Sequence, residues 1–321
     1  MSAWLGWGAF AASMSFLPLG GLAGPSRSWM VYVAFNVLFN LPHQYCTWVR
    51  VVREPVVRRP GHVWRVGAFL LLAFALVALV RADLLGPTNE ALLVNFMTYW
   101  GLWHLVAQHI GISSLLRRRG GEKDARGRRR DQVFFGLLFA LGVVRMHAAT
   151  ALELNVAGNV SHMWRLPIPR EGQPWVVGAA VALFAFACAW HLGRAFRENP
   201  ERAKFQALVA ANTFGAFFLT NDILVTTIAV TSFHNIHYVG LVREYQSGRA
   251  AADGSARALG WGDVGLALAY SLALNGTLLF SLAAGQVMLV ALVALHYLAD
   301  GRIWRFREDP SLRRYLHAYG S

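Results

Sequence analysis

The stretch GDVGLALAYSLALNGTLLFSLAAGQVMLVAL, residues 262–292, decides the fold class of this chain. It holds a single charged residue, Asp263, and it is longer than the about 20 mainly apolar residues that a helix needs to span a bilayer. Residues 63–80 form a second run of this kind. The apolar residues follow one another without alternation, which is typical of transmembrane helices rather than of barrel strands.

The composition of the whole chain agrees with this interpretation. Of 321 residues, 56% are hydrophobic and only 15% are charged, whereas soluble domains carry about 25% charged residues. The formal net charge of +13 comes from short basic clusters between the apolar segments. Such clusters are what the positive-inside rule produces, so the charge indicates orientation in a membrane and no nucleic-acid partner.

Basic clusters and Gly/Pro punctuation divide the chain into about ten predicted helices. Their predicted spans are 4–22, 28–50, 63–82, 91–116, 131–154, 174–194, 204–220, 222–243, 262–280 and 284–302. Every second one ends in a basic cluster, which predicts that both termini are cytoplasmic. We therefore predict an all-α, polytopic transmembrane bundle: one integral-membrane domain over residues 1–321, with a short interfacial tail from about residue 303, in a bacterial cytoplasmic membrane. The basic connector 117–130 is expected to be solvated or to contact lipid headgroups.

Four of these segments carry histidine at similar distances from a basic flank. The six residues are His43, His104, His109, His234, His237 and His296. At about 1.5 Å per residue they lie roughly 9 to 20 Å from the predicted cytoplasmic boundary. Histidine is costly at hydrocarbon depth and usually marks a function there. The pattern predicts one buried metal site that four helices share.

The ligand types favour iron, copper or zinc, which imidazole suits. His234 and His237 are spaced i, i+3 and share a helical face, whereas His104 and His109 are spaced i, i+5 and do not easily bind one ion. Asp300 and Gln44 are expected to hold His296 and His43 in their metal-binding tautomers, as partners of ligating histidines commonly do. Tyr238, next to the His234 and His237 pair, completes the predicted catalytic group.

These motifs make the chain resemble the Brp/Blh family of membrane β-carotene 15,15′-dioxygenases. The shared features are Leu41-Pro42-His43, then His104 followed five residues later by His109 where the family has Asp, then His234-Asn-Ile-His237-Tyr238, and finally His296 with Asp300. The third motif is one residue short, Gln44 replaces a glycine, and Thr47 stands where the family has Asp. The resemblance implies a non-haem iron bound by His43, His104, His237 and either His234 or His296.

We therefore expect an integral-membrane non-haem iron oxygenase with one or two iron ions and dioxygen as co-substrate. Its substrate would be lipid-soluble, a carotenoid, polyene or fatty-acyl chain, and its partners would be membrane lipids and an electron donor. Three alternatives stay open: a di-iron lipid desaturase or hydroxylase, a haem-binding electron-transfer protein, and a metal or proton transporter. The chain lacks the His-x-x-His-His boxes of the desaturases and hydroxylases. Six histidines are more than one haem needs, and the inverted repeat that is common in transporters is not evident in the sequence.

Overall fold

Helices make up most of the backbone, as the continuous apolar runs predict. The computed structural model describes residues 3–23, 28–53, 86–122, 124–149, 152–156, 159–254, 260–280, 282–304 and 310–316, with the single positions 67, 71 and 75. The predicted helix 63–82 lies outside these described residues apart from those positions.

The α-helices are α1 (Ala3–Ala23), α2 (Ser28–Phe35), α3 (Leu41–Arg53), α4 (Gly86–Arg119), α5 (Ala125–Ala149), α6 (Gln173–Glu198), α7 (Pro200–Phe218), α8 (Ile223–Asp253), α9 (Trp261–Phe280), α10 (Leu282–Ile303) and α11 (Pro310–Tyr315). A π-helical turn, Asn36–Asn40, joins α2 to α3, and a 3₁₀ turn, Arg170–Gly172, precedes α6. The predicted helical character of the chain is thereby confirmed.

A short hairpin interrupts the otherwise helical chain without changing its all-α class. The strands β1 (Glu153–Val156) and β2 (Asn159–His162) pair antiparallel, with Glu153 opposite His162. The predicted helix 131–154 is therefore wrong at its end, since α5 stops at Ala149. The hydrogen bonds between the two strands satisfy the backbone N–H and C=O groups of these residues, as helical hydrogen bonds would in a longer helix.

The basic connector 117–130 is shorter than the sequence predicts. α4 continues to Arg119 and is followed by Gly121 at φ +76°, a left-handed conformation that glycine adopts without steric cost. Asp124 then caps α5, because its carboxylate accepts the backbone N–H groups of Arg126 and Gly127. These hydrogen bonds, that of Arg126 first, hold the Asp124 pKa below its ordinary value. The arginines after Asp124 thus lie on a helix.

Two helices in the described part of the chain are long and apolar enough to cross a membrane, those at 125–148 and 170–198. By length and composition alone this is weak evidence for membrane insertion. α6 nevertheless exposes large apolar side chains along its length, among them Trp175 (81% exposed), Phe186 (67%) and Trp190 (64%). A membrane bundle of about ten helices stays a prediction.

The chain divides into two compact units. The first unit comprises Met1–Tyr32, Thr98–His237 and Ala318–Ser321, and the second comprises Val33–Met97 and Tyr238–His317. In the first unit, α5 packs against α6 and α7, and α7 also packs against α1. In the second unit, α3, α9 and α10 pack against one another.

A buried polar network joins the helices of the first unit near the ends of α4 and α6 and the starts of α5 and α7. Asp131 is 1% exposed, and its carboxylate accepts the Ser113 hydroxyl at 2.8 Å. His191 Nε2 lies 3.5 Å from Asp131, and Arg202, also 1% exposed, lies 4.0 Å from it. Because a buried charge is costly unless it is paired, these four side chains fix the mutual position of four helices.

The contact between α5 and α7 yields a test of this packing. A β-carbon added to Gly142 would lie 2.7 Å from Cγ of the buried Phe217 ring, whereas one added to Gly136, also on α5, meets nothing within 4 Å. We expect Gly142→Ala to lower the free energy of unfolding by about 1 to 3 kcal/mol, since overpacking a core costs that much. Gly136→Ala should leave it unchanged or raise it by up to about 1 kcal/mol. Thermal unfolding of both variants in detergent measures this, and equal midpoints would contradict the packing.

Candidate metal centre

One face of α3 carries the first part of the candidate metal centre. His43, Thr47 and Arg50 are spaced i, i+4 and i+7, so they project from the same side, and all three are buried. A π-helical turn lies directly before α3, and there the Leu41 N–H donates to the carbonyl of Asn36, five residues back. π-helical turns are frequent at functional sites.

α10 supplies the second part. His296 and Asp300 are spaced i, i+4 and are 1% and 3% exposed. The Nε2 atoms of His43 and His296 lie 2.7 Å apart, and Asp300 Oδ2 lies 3.4 Å from His296 Nε2. Two imidazole nitrogens and one carboxylate oxygen therefore converge inside the second unit, all within 4.8 Å of one another.

Thr47 determines the tautomer of His296. Its hydroxyl donates to Asp300 Oδ1 at 2.9 Å and lies 2.8 Å from His296 Nδ1. The Thr47 hydroxyl also lies 2.7 Å from the Tyr238 hydroxyl. Whether the single hydroxyl proton goes to that oxygen or to the carboxylate, Thr47 Oγ1 is left to accept a hydrogen bond from Nδ1–H of His296. The lone pair of His296 is thereby left on Nε2, the atom that points to His43 and Asp300, which is the arrangement a metal ligand requires.

Tyr238 and Trp304 orient the carboxylate. The Tyr238 hydroxyl donates to Asp300 Oδ1 at 2.6 Å, and the Trp304 indole N–H donates to the Tyr238 hydroxyl at 3.3 Å. With two donors on Oδ1, the other oxygen, Oδ2, is the one directed toward His296 Nε2. The Tyr238 ring also packs edge-on against the His43 ring, with centroids 4.3 Å apart.

Arg50 closes this region on the side of Trp304. It is fully buried, and its guanidinium carbon lies 4.3 Å from the ring centre of Tyr245 and 4.0 Å from that of Trp304. Desolvated cation–π contacts of this kind are worth about 2 kcal/mol or more. Arg50 therefore holds Trp304 in place, and through it the hydrogen bond to Tyr238.

The spacing of the donor atoms fits a metal ion. Two ligand atoms bound at about 2.0 to 2.1 Å to one transition metal lie roughly 2.8 to 3.4 Å apart in octahedral or tetrahedral geometry. The observed 2.7 Å and 3.4 Å separations bracket that interval within a tenth of an ångström. Two of the donor separations among His43, His296 and Asp300 are thus close to those of atoms bound to one metal ion, and all the donor atoms lie within 4.8 Å of one another.

The other four predicted ligands lie in the first unit, all of them buried. The ring of His234 is 5.4 Å from that of His104 and 6.1 Å from that of His109, centre to centre. Gln108 Nε2 donates to His104 Nε2 at 3.2 Å. Among the described residues of this unit, no three of these histidines bring their ring nitrogens within 4.8 Å of one another.

His237 and His109 differ in what surrounds their ring nitrogens. His237 Nδ1–H donates to the carbonyl of Phe233 at 2.8 Å, which leaves the lone pair on Nε2. His109 lies among phenylalanine rings, including Phe135 at 6.1 Å and Phe205 at 6.0 Å. No described side chain forms a hydrogen bond with either nitrogen of His109. The shared six-histidine site stays a prediction.

Two neighbouring residues of α3, Gln44 and Thr47, differ from the predicted site. Gln44 is buried, and its amide forms no hydrogen bond with any other described residue, so nothing in this structure links it to His43. Thr47, which contacts both His296 and Asp300, is absent from the predicted site. Its signal was the i, i+4 spacing from His43, the same spacing that relates His296 to Asp300.

Comparisons with known proteins return no match: no family model, no curated protein and no solved structure is similar to this chain.

The position of Thr47 predicts a hydroxyl-dependent metal affinity. Thr47→Val keeps the side-chain shape but removes the acceptor for His296 Nδ1–H, and loss of such a partner commonly weakens metal binding by about 10- to 100-fold. Thr47→Ser keeps the hydroxyl and should bind as the unchanged protein does. Titration of the metal-depleted protein with Fe²⁺ measures both dissociation constants. Equal weakening in the two variants would mean that packing of the threonine methyl, and not its hydroxyl, matters.

Proposed function

We propose that this protein is an integral-membrane non-haem iron oxygenase that acts on a lipid-soluble substrate. The observation that carries the proposal is the donor set of His43, His296 and Asp300 within the second unit. Two histidines and one carboxylate with further positions open are typical of non-haem iron(II) oxygenases. Harder ions such as magnesium and calcium prefer all-oxygen sites.

Iron, when bound, supplies the redox chemistry with dioxygen. The chain's own residues have supporting tasks. Thr47 holds the proton on His296 Nδ1, and Tyr238 holds a proton on the Asp300 Oδ1 side, so that Asp300 presents Oδ2. The rings of Tyr238 and Trp304 exclude water from this side of the donor group.

The lipid-soluble substrate class is inferred from the apolar character of the chain. Its runs at 63–80 and 262–292 are long enough to enter a bilayer, and the exposed apolar side chains of α6 suit contact with lipid. A carotenoid, another polyene or a fatty-acyl chain would reach such a site from within the membrane. The resemblance to the Brp/Blh family favours the polyene.

Elemental analysis of the purified protein tests the metal. We expect about one equivalent of iron, or two if the histidines of the first unit bind a second ion, and no Soret band in the absorption spectrum. The chain has no Cys-x-x-Cys-His signal for haem attachment. A haem spectrum would replace the oxygenase by the electron-transfer alternative, and zinc as the sole metal would exclude redox chemistry.

Substitution of the ligands tests the donor set. We expect His43→Ala and His296→Ala to lose bound iron and oxygenation of a polyene substrate, because each removes one of three donors. His147→Ala is the matched control: His147 is also buried, but both ring nitrogens are engaged, one with the Tyr99 hydroxyl at 2.5 Å and one with the Leu166 N–H at 3.3 Å. Iron content, measured on monodisperse protein, should fall in the first two variants and persist in the control.

Alanine variants of the first-unit histidines distinguish a metal site that uses all six histidines from one that uses only His43, His296 and Asp300. If His104, His109, His234 and His237 contribute ligands, replacing each by alanine lowers the iron content as His43→Ala does. If the metal depends on the second unit alone, these variants keep their iron and are affected only in stability.

A further inference from the structure

A groove of about 390 Å³ lies on the first unit between α5 and α6. α5 lines it with one helical stripe of spacing i, i+3, i+4, i+7, i+8 and i+11, formed by Arg126, Arg129, Arg130, Val133, Phe134 and Leu137. From α6 come Ala187, Trp190 and His191. The groove is therefore basic where α5 begins and apolar along most of the rest.

The charge at the basic end is only partly neutralised. Arg130 pairs with Glu198 at 3.3 Å and with Asp124 at 3.9 Å. Neither Arg126 nor Arg129 has a guanidinium ion pair or hydrogen bond with any residue in the described part of the chain, and both are exposed. This end of the groove thus has an excess of positive charge that an anion would complement.

The remainder of the groove is unusually apolar for an exposed surface. Val133 is 59% exposed, Leu137 40% and Trp190 64%. α5 and α6 are also the two described helices that are long and apolar enough to cross a membrane. Contiguous exposed apolar surface of this kind marks contact with something apolar.

The dimensions of the groove match one leaflet of a bilayer. From Arg126 to Leu137 the helix rises about 16 Å, at about 1.5 Å per residue, which is roughly half of the ~30 Å hydrocarbon core. A volume near 390 Å³ lies at the lower end of the range for small-molecule sites, about 300 to 1,000 Å³. A single lipid chain with its headgroup at the basic end has the corresponding shape and polarity.

We propose that this groove binds one anionic phospholipid. Its phosphate pairs with Arg126 and Arg129, and one acyl chain lies along Val133, Leu137 and Trp190. The residues that line the groove are different from His43, His296 and Asp300, so iron content provides a separate measurement. The proposal depends on membrane insertion of the chain and not on the oxygenase reaction.

Native mass spectrometry of the full-length protein, delipidated in a neutral detergent, tests the charge. We expect phosphatidylglycerol to bind more tightly than phosphatidylcholine with the same acyl chains. Arg126→Gln combined with Arg129→Gln should weaken phosphatidylglycerol binding roughly 25-fold, about fivefold for each cationic side chain. Arg128→Gln is the matched control, because Arg128 is exposed on the same turn but does not line the groove.

Quenching of Trp190 tests the position of the acyl chain without the arginine variants. Brominated phosphatidylglycerol should quench the fluorescence of the protein, and the quenched fraction should shrink in Trp190→Phe. Glycerol phosphate, which has the charge but no acyl chain, should neither bind measurably nor displace the lipid.

Several results would overturn the proposal: equal affinity for the two phospholipids, equal loss in the Arg128→Gln control, unchanged binding in the double variant, or no Trp190 component in the quenching. Full displacement by glycerol phosphate would mean that the basic end binds a free anion and that the apolar groove has no part in binding. In each case the iron content of the protein still reports on the proposed function separately.

Discussion

The carboxylate of Asp131 is the charge around which the helices of the first unit are arranged. It is 1% exposed, and the Ser113 hydroxyl and the His191 ring reach it from α4 and α6. Arg117 and Arg202, both buried, lie 3.9 and 4.0 Å from it. An unpaired buried charge costs several kcal/mol. If the helix ends that carry these partners moved apart, the carboxylate of Asp131 would be left unpaired at that cost. Sequence-distant helices thus meet at this carboxylate, and the shorter ion pairs of Arg117 and Arg202 with Glu122, at 2.9 and 2.7 Å, strengthen the same network.

The second unit meets the same requirement with different chemistry. Around Asp300 the hydroxyls of Thr47 and Tyr238 donate to one oxygen, while the other lies beside His296. Hydroxyls satisfy a carboxylate's hydrogen-bonding capacity without neutralising its charge. What distinguishes this group from the arginine-paired Asp131 is that two imidazoles, those of His43 and His296, lie beside the carboxylate, which makes it the candidate metal centre.

The sequence predicts features that depend on residues close together in the chain and does not predict those that depend on distant ones. Helices and the positions of His43, His296 and Asp300 are readable from local periodicity, because spacing along one helix fixes which side chains share a face. For Thr47 the local signal, its i, i+4 spacing from His43, places it on the same face but does not reveal its role, since its partners His296 and Asp300 are 249 and 253 positions away in the chain. The apolar pattern does not predict the hairpin of β1 and β2 or the helical start at Ala125, because strand pairing determines the first and a capping side chain the second.

Arginines of the basic clusters have two different structural roles that composition alone does not distinguish. Arg50, Arg117 and Arg202 belong to basic clusters that the positive-inside rule treats as solvated, but all three are buried. They hold Trp304, Glu122 and Asp131 in place, so they are needed for folding whichever side of a membrane they face. Arg126 and Arg129, in contrast, are exposed and contribute to the field that an anionic surface senses. Burial does not remove a charge from an electric field, but it does remove the access of a ligand. If the chain inserts into a membrane as proposed, the exposed arginines are therefore the ones that can contact lipid headgroups.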